Sequence, residues 1–248
     1  MRGAAVAALA LVALGGGAPG ARAASAPSVP ILMYHHIAPA PAGAGMPALW
    51  VSPAAFAAQV RGLRRAGYRA VTLGRAWDAW HGGAPLPRRP VVLSFDDGYA
   101  DQVAAALPVL RRARWPGTLN LALDFLPAMG GAPAVRQLLH AGWELDSHSF
   151  THVDLRTVGP SRLRNEVAGS RARISALFGV TPRFFCYPFG RLSGPVGQAV
   201  RRAGYLAATT THAGFATPRD PLRLPRIQVS RGKTAADLLA RLRALRPR

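Results

Sequence analysis

The sequence predicts an α/β protein: a single domain in which seven or eight strand–helix units curl into a barrel. Three observations point there. Short apolar runs alternate with helical patterns roughly every 20–35 residues, as in parallel strands joined by crossover helices. The 248 residues, half of them hydrophobic, suffice for one sizeable core and show neither an internal repeat nor an internal linker long enough to divide it. The residues able to do chemistry, above all Asp96-Asp97-Gly98, stand just after predicted strands, where barrels and open α/β sheets place their sites.

Taken in order, Arg2, the apolar run 4–14 and the small-x-small triplet Ala21-Arg22-Ala23 read as an export signal over residues 1–23, cut after Ala23. The apolar run is too short to span a bilayer. A Pro/Ala/Ser-rich linker follows at 24–28, and the folded domain covers 29–248. Residues 29–34 form the first strand, with His35 and His36 at its end, and 38–50 form a loop. Ser52-Pro53 starts a helix, with serine as N-cap and proline in the first turn, and Phe56, Val60 and Leu63 follow at helical spacing. A second strand is expected over 68–73 and a short helix over 76–80. Pro90 opens a strand, 91–95, that is apolar on both faces, and Gly98 marks a sharp exit from it. A helix at 101–113, a strand at 117–123, a helix at 135–140 and a strand at 143–146 come next. Residues 161–178 form an amphipathic helix whose stripe is Leu163, Val167, Ile174, Leu177 and Phe178, stopped by Gly179. Strands at 183–187, 205–209 and 224–229, a helix at 196–203 and a last helix capped by Thr234 complete the chain.

The formal charge is +20, carried almost wholly by arginine, since Lys233 is the only lysine. Such a surface attracts polyanions, including an anionic cell-envelope surface. The arginines are scattered and form no nucleic-acid-binding module, so nucleic acid is not an expected partner. Cys186 is alone, which rules out an internal disulfide and a cysteine metal cluster, and it reads as a small buried residue.

Two adjacent carboxylates at a buried strand end repel each other and persist where a cation or hydrogen bonds compensate them; a solvated turn capping the next helix is the plainer reading. The second constellation is His148-Ser149-Phe150-Thr151-His152, directly after the strand at 143–146. If helical, it puts two imidazoles on one face. Two imidazoles and one carboxylate leave open positions on a Zn²⁺-like ion, the arrangement of a catalytic centre.

Ser94-Phe95-Asp96-Asp97-Gly98, followed about fifty residues later by the His-x-x-x-His segment, resembles the first two motifs of the polysaccharide deacetylase family (carbohydrate esterase family four). Members remove acetyl groups from N-acetylated glycans on a distorted (β/α) barrel, and the resemblance spans roughly residues 29–230. It implies Asp97, His148 and His152 as ligands of one divalent ion, Zn²⁺ ahead of other divalent transition metals, and Asp96 as general base. Phe185-Cys186-Tyr187-Pro188-Phe189-Gly190 resembles the third motif, Arg-Pro-Pro-Tyr-Gly, and implies that Tyr187 and Phe189 line the substrate site, with the Phe189 N–H donating to the oxyanion. Cys186 stands where many members have an arginine that orients the base, which leaves the tuning of Asp96 open. The late Leu-x-His motif that carries the general acid in many members is absent from Leu224-Pro225-Arg226-Ile227-Gln228-Val229. Leu32-Met33-Tyr34-His35-His36 instead matches an early segment of the branch that includes biofilm poly-N-acetylglucosamine deacetylases. His35 is therefore expected to protonate the leaving amine, with His36 and then His212 as weaker candidates. Trp50, Tyr187, Phe189 and Phe215 are candidates for stacking on sugar rings.

The expectation is an exported, metal-dependent hydrolase of N-acetyl groups on an N-acetylglucosamine-containing polysaccharide, acting in the periplasm, at the cell envelope or outside the cell. An O-acetyl glycan esterase, or a non-catalytic glycan- or surface-binding protein on the same fold, is the alternative.

Overall fold

The computed structural model describes residues 26–247; the expected export signal and residues 24 and 25 of the linker lie outside them. The described strands are β1 (Val29–Tyr34), β2 (Arg69–Ala70), β3 (Pro90–Asp97), β4 (Thr118–Leu121), β5 (Glu144–Ser147), β6 (Phe184–Cys186), β7 (Ala207–Thr209), β8 (Phe215–Ala216) and β9 (Ile227–Gln228). They form one sheet in the order β7-β6-β5-β4-β3-β1-β8, with β2 also on β3 and β9 also on β1. Every pairing is parallel except β1 with β8.

The stretch 224–228 curls this sheet into the distorted barrel that was expected. Leu224 bridges Thr209, donating its N–H to Ala208 O and accepting from Thr210 N, both at 2.9 Å. Three residues later Ile227 pairs with Leu32 of β1. One short segment thus touches both ends of the parallel array.

Side chains alternate along each strand, so the two faces separate cleanly. Leu32, Tyr34, Leu93, Phe95, Leu119, Leu121 and Leu145 face the helices and share a core with Phe56, Val60 and Leu63 of α1 (Pro53–Arg65). On the other face Val29, Ile31, Val92, Phe184, Ala207 and Leu224 make an apolar floor closed by Leu73, Ala76 and Trp80 of α2 (Leu73–Trp80). Above that floor the interior turns polar: Ser94, Thr118 and Glu144 share one register level, and Asp96, Asn120 and Asp146 share the next. Polar interior residues near the C-terminal strand ends put the chemistry at that mouth.

Several expectations need correction. The strand expected at 68–73 shrinks to β2, because the Thr72 hydroxyl accepts the Arg75 N–H (3.1 Å) and starts α2 at once. The helix expected over 101–113 opens with a π turn, Gln102–Ala106, before α3 (Leu107–Ala113). The helix at 161–178 is likewise interrupted by a π turn, Asn165–Gly169. That insertion resets its phase: Leu163 and Val167 pack with Phe185 and Tyr187, whereas Ile174 joins the main core. β8 was not foreseen. The Ser52 cap and the Thr234 cap are present, the latter as a capping box with Asp237.

Glu144 is partly exposed and accepts from Gly74 N at the start of α2 (2.9 and 3.0 Å) and from Thr118 Oγ1 (3.3 Å). Burial pushes its carboxyl up to about 7, against the Gly74 amide and the Arg183 guanidinium. An acid whose native pKa is raised holds its proton more tightly folded than unfolded. Its contribution is full below the unfolded value of about 4.3 and is lost as pH rises through about 7. Glu144→Gln is therefore expected to match wild type near about pH 4 and, with a discount for solvent screening, to gain about 1–2 kcal/mol at about pH 8 in urea unfolding. A loss at the higher pH would mean that the ionised carboxylate is favoured there.

Candidate active site

β3 delivers both carboxylates to the mouth. In a regular strand Asp96 and Asp97 would point to opposite faces. Asp97 instead takes φ 75° and Gly98 φ 104°, turning the chain so that both acids reach the same site. The turn is fixed by Gly98 N to Asp96 O and Ala122 N to Asp97 O, both 3.0 Å. A Cβ on Gly98 would lie 2.7 Å from Leu121 Cδ1, so only glycine fits.

The two histidines meet through a loop, not through the helix considered above. Ser149 (φ 72°) and His152 (φ 56°) are both left-handed, and Ser149 Oγ accepts the His152 N–H at 3.0 Å. Glu166, buried inside the π turn, clamps the intervening residues: its carboxylate accepts from Phe150 N (3.0 Å), Thr151 N (2.9 Å) and Thr151 Oγ1 (2.6 Å). His148 Nε2 and His152 Nε2 thereby come within 3.4 and 3.3 Å of Asp97 Oδ1.

This trio fits a divalent cation. Asp97 Oδ1 is buried and has no hydrogen-bond partner. His148 Nδ1 lies 2.7 Å from the Cys186 carbonyl, which accepts only a proton-bearing nitrogen, so the neutral ring turns its Nε2 lone pair toward Asp97. Burial and the neighbouring His148 pull His152 down to about 4, leaving it neutral at pH 7. Against the cost of burial, the Cys186 contact and the carboxylates Asp96 and Asp97 would lift His148 to about 10. The carboxylates thus draw one positive charge into this spot, either a second proton or a metal ion.

A second trio, Asp96, His148 and Cys186, also has ligand atoms close together. Its carboxylate is already committed. Arg226 Nη1 donates to Asp96 Oδ1 (2.7 Å) and Arg226 Nη2 to Oδ2 (2.8 Å), while Asn120 Nδ2 donates to Oδ1 (2.7 Å). A guanidinium there repels a second cation. Arg226 is 1% exposed, and its Nε donates to Thr210 O at 2.9 Å. Burial disfavours the Asp96 carboxylate, but Arg226 outweighs burial and holds it well below the usual carboxylate range. The guanidinium beside Asp96 thus comes from the late segment 224–229, and at position 186 the Cys186 thiol sits 3.7 Å from Asp96 Oδ2.

His35 Nε2 is 3.8 Å from Asp96 Oδ2, and burial holds its pKa below the usual value despite Asp96 and Asp97. Gln102, in the π turn, ties the two strand ends together by donating to His35 O (3.0 Å) and Asp96 O (2.7 Å). His36 is held elsewhere. Its ring is stacked between Trp50 and Tyr99, each at 3.5 Å, and Nδ1 meets Asp101 Oδ2 at 2.8 Å. His212 is exposed and its Nδ1 faces Thr210 Oγ1 (3.3 Å), so the structure does not bring it to the carboxylates. Phe189 (φ 58°) is 46% exposed, with its ring 4.7 Å from His152. Gly190 follows in a conformation where any Cβ would collide with Thr211. Tyr187 is fully buried against Phe185 and offers no face to a sugar. Phe215 pairs with Pro30 near the start of β1, at the opposite end of the barrel. Arg226, Glu166, Asn120 and Gln102 are the site residues that sequence reasoning missed.

Fold and site together define a hydrolase of a known kind. The family model described as Polysaccharide deacetylase matches residues 83–208, half of the chain, and the chain belongs to that family. Asp96, Asp97, His148, His152 and Cys186 lie inside the matched segment; His35 and Arg226 lie outside it. YxkH of Bacillus subtilis (strain 168), named for the same activity, is 25% identical over 221 residues, covering 88% of this chain and 77% of that protein. The poly-beta-1,6-N-acetyl-D-glucosamine N-deacetylase of Escherichia coli (strain K12) is 25% identical over 226 residues, covering 73% of this chain and 34% of that one. The chain therefore spans about a third of the length of that relative. The fold is shared with the Streptococcus pyogenes deacetylase PplD, solved in complex with acetate, at a TM-score of 0.81 and 24% identity over 90% of this chain and 100% of that one.

Removing Arg226 should strand a buried charge. Arg226→Met is expected to lose about 3–5 kcal/mol in urea unfolding at neutral pH, and Asp96→Asn on top of it to recover part of that loss. Wild-type stability in the single variant would mean that Asp96 needs no partner.

Proposed function

We propose that this protein is an exported, divalent-metal-dependent N-deacetylase of an N-acetylglucosamine-containing polysaccharide, leaving free amines and releasing acetate. The observation that carries the reading is the juxtaposition at one mouth of an Arg226-bound, ionised Asp96, the partnerless Asp97 oxygen facing two imidazoles, and His35. The name of the Escherichia coli relative supports the choice of polymer.

Asp97, His148 and His152 would hold the ion. When bound, such an ion acidifies water and polarises a carbonyl at neutral pH, and Zn²⁺ suits this mixed imidazole–carboxylate set. The chain's own groups do the rest. Asp96 keeps its negative charge through Arg226 and Asn120 and takes the proton of the attacking water. His35, across the mouth, protonates the departing amine. The Phe189 N–H, set on a strained turn beside His152, donates to the developing oxyanion. Each proton-transferring group is expected to contribute about 10²–10⁴-fold.

Acetate release from N-acetylglucosamine oligomers tests this. Metal-stripped protein and Asp96→Asn are expected to lose nearly all turnover. His35→Ala should bind Zn²⁺ as wild type does while losing about 100-fold or more in turnover. Full activity without metal, or in His35→Ala, would contradict the assignment. Acetate from O-acetylated glycans alone would make the protein an esterase.

A further inference from the structure

At the end of the barrel opposite the site lies an open groove of about 590 Å³ lined by Arg61, Arg64, Arg65, Arg69, Arg114 and Trp115. Arg64 and Arg65 end α1, Arg69 opens β2, and Arg114 caps α3. All five arginines are exposed, and among the described residues none of them pairs with a carboxylate. Arg111 and Arg112 extend the cluster along the last turn of α3, and Arg88 and Arg89 precede β3. The groove draws on two stretches without acid: no Asp or Glu occurs before Asp78, and none between Asp101 and Asp124.

Arginines at helix C-termini are partly explained by the helix dipole. Two such termini meet here, each worth about half a negative charge, so together they offset roughly one of the five guanidinium charges. The remaining charge is available to an external anion. Guanidinium forks match phosphate oxygens in geometry as well as charge.

We propose that this face binds the phosphate headgroups of an anionic bilayer and so points the catalytic mouth away from the membrane. Charge complementarity, in a chain read as exported and without a nucleic-acid-binding module, favours a bilayer over nucleic acid. Among the described residues no helix is long and apolar enough to cross a membrane, so the contact of the folded domain is peripheral. The orientation, but not the binding, rests on the reading of the opposite mouth as a deacetylase site.

The test is co-sedimentation of the full chain with phosphatidylcholine vesicles, with and without about 30% phosphatidylglycerol. The triple variant Arg61→Gln, Arg64→Gln, Arg65→Gln is compared with a control, Arg164→Gln, Arg173→Gln, Arg231→Gln, which removes the same charge from exposed arginines outside the groove. Wild type and control should prefer the anionic vesicles by about tenfold or more, and this preference should collapse in the groove variant and fade with salt. Acetate release from soluble oligomers should be equal in all three. Equal loss of binding in both variants would reduce the effect to net charge and overturn the proposal. Tighter binding of duplex DNA at the same salt, or displacement of the vesicles by low millimolar inorganic phosphate, would replace the membrane with a nucleic-acid or free-anion site. Absence of acetate release in wild type would count against the deacetylase reading alone.

Discussion

The structure depends on one buried ion pair. Asp96 sits 1% exposed inside the barrel, where a lone carboxylate would take up a proton. The bidentate contact with Arg226 keeps it charged. Arg226 belongs to the short stretch that touches β7 at Leu224 and β1 at Ile227, so the contact that curls the sheet also sets the charge of Asp96. Ser94 Oγ and Thr210 O accept two more of the five guanidinium N–H groups, so four of the five are paired.

Around this pair the backbone is bent out of its usual range. Among the described residues six non-glycine positions have positive φ, and four of them, Asp97, Ser149, His152 and Phe189, are at the site. Each costs about 1–3 kcal/mol and persists only where neighbours hold it. The holders are specific: Ala122 N on Asp97 O, Ser149 Oγ on His152 N, Glu166 on the loop between, and glycines at 98 and 190. The strain aims two imidazoles at one carboxylate oxygen.

Much of this was legible in the chain and some was not. The run 91–95 announces a strand buried on both faces, and Gly98 its exit, because local chemistry decides both. Ser52 and Thr234 announce helix starts for the same reason. Arg226 was not read as the partner of Asp96, since the two are 130 residues apart and nothing local links them. A signal existed: an arginine amid Leu224, Ile227 and Val229 in an apolar strand pattern is seldom buried unless paired. Glu166, one position before Val167 of the apolar stripe, carried a similar signal. The π turns hid because an inserted residue changes the phase of a helix without changing its composition. The His-x-x-x-His spacing suits a helix or a loop, and only the clamp by Glu166 decides between them.

In the proposed site Asp97, His148 and His152 hold the ion while Asp96 stays with Arg226. Zinc-edge X-ray absorption on the Zn²⁺-loaded protein tests it most directly. A shell of nitrogen and oxygen only, with imidazole scattering from two histidines, is the predicted result. A sulfur at about 2.3 Å would place the ion with Cys186 and Asp96 instead, and would contradict both the ligand set and the role of Arg226.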